Sequence, residues 1–88
     1  MYYVYVLQSE NDWNYYIGFT KDLKLRIEQH YRGQVESTRH RRPLKLIYYE
    51  ACIYQDYAIK REKYFKKHHG RMFLKNRLNS YLTGQGNS

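Results

Sequence analysis

The chain has little of several things, and each shortage closes off a class of protein. One cysteine, Cys52, stands among 88 residues, so no intrachain disulfide can form. It lies in an apolar run and reads as a small core residue rather than a nucleophile, in a protein suited to a reducing compartment. No apolar stretch approaches the roughly 18 residues that span a bilayer. Met1 leads straight into a strand pattern without a signal-peptide layout, so the expectation is a cytoplasmic protein with no membrane partner. With no internal repeat and no second domain, one unit is expected over residues 1–82, then a polar tail at 83–88. Acidic residues are scarce as well: eight Asp and Glu against sixteen Lys and Arg give a formal net charge of +8. That balance favours a polyanionic partner, through counterion release on phosphate contact. A basic surface that serves solubility is the plainer alternative.

What the chain has in excess is tyrosine, twelve in all. Most are expected to fill half-buried strand surfaces. Two have a positional reason to be chemical, and both lie in residues 3–30. This stretch reads as a strand (Tyr3 to Gln8), a polar turn (Ser9 to Asn14), a second strand (Tyr15 to Phe19) and a helix. In a simple hairpin, an odd sum of paired residue numbers puts Tyr5 and Tyr16 on one face; a one-residue slip separates them. Gly18 leaves the sheet without a side chain. Arg26 and His30 are four apart on the helix, one above the other, just beside a stripe of Leu23, Ile27 and Tyr31. Two phenols, a guanidinium and an imidazole thus converge on one patch.

That patch resembles the GIY-YIG nuclease family, found in excision-repair, homing and some restriction endonucleases. Tyr16-Ile17-Gly18 stands as the second half of the signature; the first half is Tyr3-Val4-Tyr5, which keeps its final tyrosine and lacks the leading glycine. Arg26, His30 and a later helical carboxylate, Glu62, complete the match, which spans roughly Tyr2 to Leu82. The resemblance implies an α+β fold of order β-β-α-β-α-α, a small three-stranded antiparallel or mixed sheet flanked by three helices. It also implies metal-dependent hydrolysis of DNA phosphodiesters; with no recognition helix or zinc finger legible in the sequence, the expectation is a nuclease directed by structure more than by base sequence. Tyr5 would be the general base, His30 would help carry its proton away, and Arg26 would stabilise charge on the phosphoryl group. Glu62 would hold one Mg2+ or Mn2+, and Tyr16 would orient water or phosphate.

The remaining chain is read around that patch. The first helix is expected over about Lys21 to Tyr31, with Thr20 as N-cap, Asp22 in its first turn and Gly33 as its stop. Trp13, at the hairpin tip, is expected to pack on the sheet edge rather than touch a substrate. Residues 34–43 show no periodicity and read as a mobile loop whose Arg39, Arg41 and Arg42 touch phosphates. A strand from Leu44 to Ile53 completes the sheet. A helix from about Tyr57 to Lys67, capped by Asp56, carries Glu62 in the row of Ala58 and Phe65, so a metal ion or Arg26 is sought as its partner. The plain alternative is an ion pair with Lys66 at i+4. Lys66, Lys67 and Arg71 form a basic break before a last helix, about Arg71 to Leu82, where Asn76 or Asn79 could brace the site. His68 and His69, adjacent and far from any cysteine, make a weak zinc signal.

A free tyrosine, with a pKa of about 10, is a poor base at neutral pH. Positive charge from Arg26, His30 and a cation is expected to lower that value. The alternative to an enzyme is a catalytically inactive module of the same fold that binds DNA or structured RNA. A small protein-interaction domain comes third. Oligomeric state is left open, with a monomer the simpler expectation.

Overall fold

A computed structural model describes residues 1–79, apart from the side chain of Asn79. The expected end of the last helix at Leu82, with Tyr81 and Leu82 in its stripe, and the tail at 83–88 lie outside the described residues. Strand β1 (Tyr2–Ser9) is central, between β2 (Tyr15–Thr20) and β3 (Leu44–Cys52), and both pairings are antiparallel. Four consecutive residues of β1, Val4 to Leu7, are buried. A strand covered on both faces needs consecutive apolar residues, and the middle of β1 has them.

The two faces carry separate cores. Val4, Val6, Ile17 and Cys52 pack against Ala58 and Phe65 of α3 (Gln55–Phe65) and Leu74 and Leu78 of α4 (His68–Asn79). Tyr5, Leu7 and Leu44 pack against Ile27 of α1 (Leu23–Tyr31). The hairpin pairs Tyr5 with Gly18 and Leu7 with Tyr16, so the sum is odd and both tyrosines share the α1 face.

Helix α1 starts two residues later than its pattern suggests. Asp22 is the N-cap, accepting from Leu25 N at 3.1 Å, rather than a first-turn residue, while Thr20 receives Asp22 N at 3.1 Å. It stops at Gly33 (φ 79°), with Gly33 N donating to His30 O and Gln34 N to Gln29 O, the paired bonds of a Schellman motif.

Segment 34–43 departs most from expectation. It contains a fourth helix, α2 (Glu36–Arg39), too short for periodicity to reveal. It is also fastened to the hairpin: Ser9 Oγ donates to Arg41 O at 2.6 Å and Glu10 N to Pro43 O at 2.8 Å.

Helices α3 and α4 each begin earlier than expected. Tyr54 is the N-cap of α3, without a side-chain bond, and Asp56 sits in its first turn. Helix α4 takes in His68, His69 and Gly70. Gly70 is required where the helices cross, because a Cβ there would run into the Tyr64 carbonyl. Glu50 of β3 and Arg61 of α3 tie the layers together through two hydrogen bonds of 2.9 and 2.6 Å. Burial alone would raise the Glu50 carboxyl, but Arg61 and the Tyr48 hydroxyl outweigh it and hold it below the usual carboxylate range.

Candidate active site

The site begins with the absent side chain of Gly18. Paired across from Tyr5, it leaves the space the phenol ring fills; a Cβ there would collide with the Tyr5 ring and hydroxyl. The ring can therefore lean over β2 toward α1. There Tyr5 Oη lies 2.8 Å from His30 Nε2, and Tyr16 flanks the imidazole with ring centroids 5.2 Å apart. His30 Nδ1 is in turn 2.8 Å from Thr38 Oγ1 on α2.

All three members of this string are buried: Tyr5 is 1% exposed, and His30 and Thr38 are fully enclosed. His30 thus lies inside α1's packed face, not at its border. Its role is polar, since both ring nitrogens have partners. Burial, reinforced by Arg26, pulls its pKa down from 6.5 to about 4, so the imidazole is neutral at pH 7. A neutral imidazole has one donor nitrogen and one acceptor. The Arg26 guanidinium beside Tyr5 can only donate, which leaves the phenolic proton to point at Nε2. Nε2 therefore accepts, and Nδ1–H donates to Thr38.

The protein's own groups do not supply the expected drop in the Tyr5 pKa. Burial raises it, Tyr16 and Glu62 add to that, and Arg26 only partly offsets them. His30, one of the expected positive charges, carries none at neutral pH. What the fold offers the phenol is a proton acceptor in contact, not a field that ionises it in advance.

Glu62, on α3, is close enough for its charge to act on Tyr5. Its carboxylate pairs with Lys66 at 3.1 Å, and its side chain keeps 22% of its exposure. Lys66 is therefore its partner, not Arg26, whose Nη1 donates to Gln29 Oε1 at 3.2 Å. Among the described residues, no three His, Cys, Asp or Glu side chains converge as a metal cage. One accessible carboxylate fits Mg2+ or Mn2+ that keeps most of its waters, and it does not fit zinc.

The other expected residues are dispersed. Arg39 and Arg42 are exposed on α2 and just after it. Arg41 is engaged within the fold, 3.5 Å from Asp12 and donating to Tyr15 O at 3.4 Å. Lys66, Lys67 and Arg71 lie at the junction of α3 and α4, where Arg71 Nε donates to Lys66 O. Asn76 is on an exposed part of α4, and the Asn79 side chain lies outside the described residues. Trp13 does not pack: it is 65% exposed. Thr38 was not visible in the sequence, because a lone hydroxyl in an aperiodic segment carries no signal. A groove of about 580 Å³ between α1 and β3, lined by Tyr3, Ile27, Leu46 and Tyr49, holds none of the five clustered residues.

A hairpin that presents two phenols to one buried imidazole, with an arginine beside them and a helical carboxylate within reach, defines a GIY-YIG domain. The model of the GIY-YIG catalytic domain matches residues 1–79, and the chain belongs to that family of endonucleases. Among its relatives is a UPF0213 protein of Streptococcus pyogenes (serotype M5, strain Manfredo), 41% identical over 66 residues, which are 74% of this chain and 71% of that one. A UPF0213 protein of Staphylococcus aureus (strain Mu3) is 39% identical over 62 residues, 69% of this chain and 74% of its own. The solution NMR structure of the UPF0213 protein BH0048 from Bacillus halodurans superposes with a TM-score of 0.55 at 30% identity, covering 86% of this chain and 84% of that one. The chain has a nuclease-type fold, and no helix among its described residues is long and apolar enough to cross a membrane.

Proposed function

We propose that the protein is a divalent-metal-dependent DNA endonuclease that selects its substrate by shape more than by base sequence. The observation that carries this reading is the 2.8 Å contact between Tyr5 Oη and a His30 nitrogen that is neutral at pH 7. Tyr5 takes the proton of the attacking water while passing its own to His30, so the phenol never has to ionise beforehand. Thr38 Oγ1 accepts from Nδ1–H, so that proton keeps a buried partner while Nε2 accepts from Tyr5. Arg26 supplies positive charge to the phosphoryl oxygens as they become more negative. Tyr16, on the same face, orients water or phosphate. Glu62 would hold one Mg2+ or Mn2+ once Lys66 swings aside, and the ion would neutralise charge at the scissile phosphate and its departing oxygen. Among the described residues α1, α3 and α4 all pack on the sheet and α2 has four residues, which leaves no helix free to read base edges, hence the preference for shape over sequence. We also take it to be a cytoplasmic monomer, with residues 1–82 as the working unit.

One observation favours a second reading, an inactive module that binds DNA or structured RNA: Lys66 already neutralises Glu62. A cleavage panel of linear, nicked, flapped and branched DNAs in Mg2+ and Mn2+ separates the two. Cutting by wild type that vanishes in a folded Glu62→Ala variant supports the enzyme. Salt-dependent binding without cutting supports the module.

A further inference from the structure

The hairpin tip combines two features that a mere turn does not need. Trp13 has φ 64°, a left-handed conformation that strains a bulky aromatic residue, and it is 65% exposed. The strain is held in place. Trp13 N donates to Ser9 O at 2.8 Å and Gln8 Nε2 donates to Trp13 O at 3.2 Å, while Ser9 Oγ receives Asn11 N and Asp12 N. An asparagine or glycine would suit this backbone better.

The indole borders a cavity of about 460 Å³ between the tip and the first turns of α4. Tyr15 and Met72 give it apolar surface, and His68, Arg71 and Lys75 give it basic groups; no acidic residue lines it. Asp12, on the same turn, is turned toward Arg41. A flat aromatic surface beside paired cations, with no opposing charge, suits a nucleotide: the base stacks and its phosphate meets Arg71 and Lys75. A protein segment would gain less from a cavity whose charge is all of one sign.

We infer that this cavity holds an unpaired nucleotide of the DNA strand next to the cut, stacked on Trp13. The inference rests on the nuclease reading and adds to it a preference for substrates with single-stranded DNA beside a duplex. Geometry supports the link. Trp13 is three residues from Tyr16, at most about 10 Å of extended chain. Tyr15 and Tyr16 point to opposite faces of β2, which is an edge strand, so the cavity and the chemical site flank one edge of the sheet.

Trp13 is the chain's single tryptophan, so its emission reports on this cavity alone. Wild type and Trp13→Asn are titrated, with metal chelated and salt low, against blunt duplex DNA and the same duplex carrying a 3′ or 5′ single-stranded extension. Indole emission and the anisotropy of labelled DNA are both followed. The expected result is saturable quenching by extended DNA, and binding of that DNA weakened roughly five- to a hundredfold by Trp13→Asn. The variant's thermal midpoint should stay level or rise, since asparagine tolerates the left-handed turn. If extended DNA binds while emission stays constant, or Trp13→Asn binds it as wild type does, the cavity assignment is wrong and the nuclease reading survives. If neither DNA binds to wild type, both fall.

Discussion

Acidifying the solution from pH 7.5 to 5 should weaken the fold through a single buried imidazole. His30 has a folded pKa of about 4 against 6.5 for an ordinary histidine. Below 6.5 the unfolded chain takes up a proton that the native state refuses. Its contribution is therefore whole above pH 6.5 and is lost as the pH falls toward 4. One proton of difference costs about 1.4 kcal/mol per pH unit, so about 2 kcal/mol goes by pH 5 and about 3 kcal/mol by pH 4. Glu50, a partly buried carboxyl with a lowered pKa, acts in the same direction but only below its ordinary value of 4.5, so the two windows separate. Urea unfolding of wild type and His30→Gln at closely spaced pH values measures the effect. The difference between the two curves should change by about 2 kcal/mol between pH 6.5 and 5. Parallel curves over that interval would mean that His30 charges freely, and it would then be lost as the neutral acceptor for Tyr5 below about pH 6.5. The same pKa predicts that cleavage does not decline near pH 6.5 on account of His30 and falls only as the pH approaches 4.

Gly18→Ala should push the Tyr5 ring off His30, destabilising the fold by about 1–3 kcal/mol and lowering cleavage in the folded fraction. Gly70→Ala, which strikes the Tyr64 carbonyl instead, should reduce stability with little change in the rate of folded molecules, and comparing the pair by denaturation and single-turnover assays checks the assignment. Thr38→Val leaves the buried His30 Nδ1–H without an acceptor and should cost about 1–3 kcal/mol and part of the rate, with Thr38→Ser restoring both. Arg61→Leu leaves Glu50 unpaired but still about one-fifth exposed, so a loss of about 1–3 kcal/mol is expected, together with a rise in the carboxyl's pKa measurable by NMR.

Much of the site could be read in the sequence because it depends on spacing. An odd hairpin register is enough to bring Tyr5 and Tyr16 to one face, and i, i+4 spacing is enough to stack Arg26 and His30. Features that depend on long-range packing could not be read. The burial of His30 involves α2, a helix barely longer than one helical turn, and that helix also brings in Thr38. Among the protein's own groups the pKa of Tyr5 turns on desolvation, which is a property of the assembled core and not of the charges that spacing brings near. Arg41 looks like its neighbours in a basic run, yet the fold pairs it with Asp12. The early start of α4 takes in Gly70, whose close approach to the end of α3 is a contact between segments that local propensity does not encode. Trp13 follows neither apolar pattern nor turn chemistry, and its exposure at a left-handed position is visible only in three dimensions.

The most direct test removes one oxygen. Single-turnover cleavage of a labelled branched DNA in Mg2+ and in Mn2+ is compared for wild type and Tyr5→Phe, with folding and DNA binding of the variant verified separately. Wild type should cut, and Tyr5→Phe should bind as well but cut on the order of a hundredfold or more slowly. A phenylalanine variant that cuts at the wild-type rate would show that the proton path from water through Tyr5 to His30 does not operate.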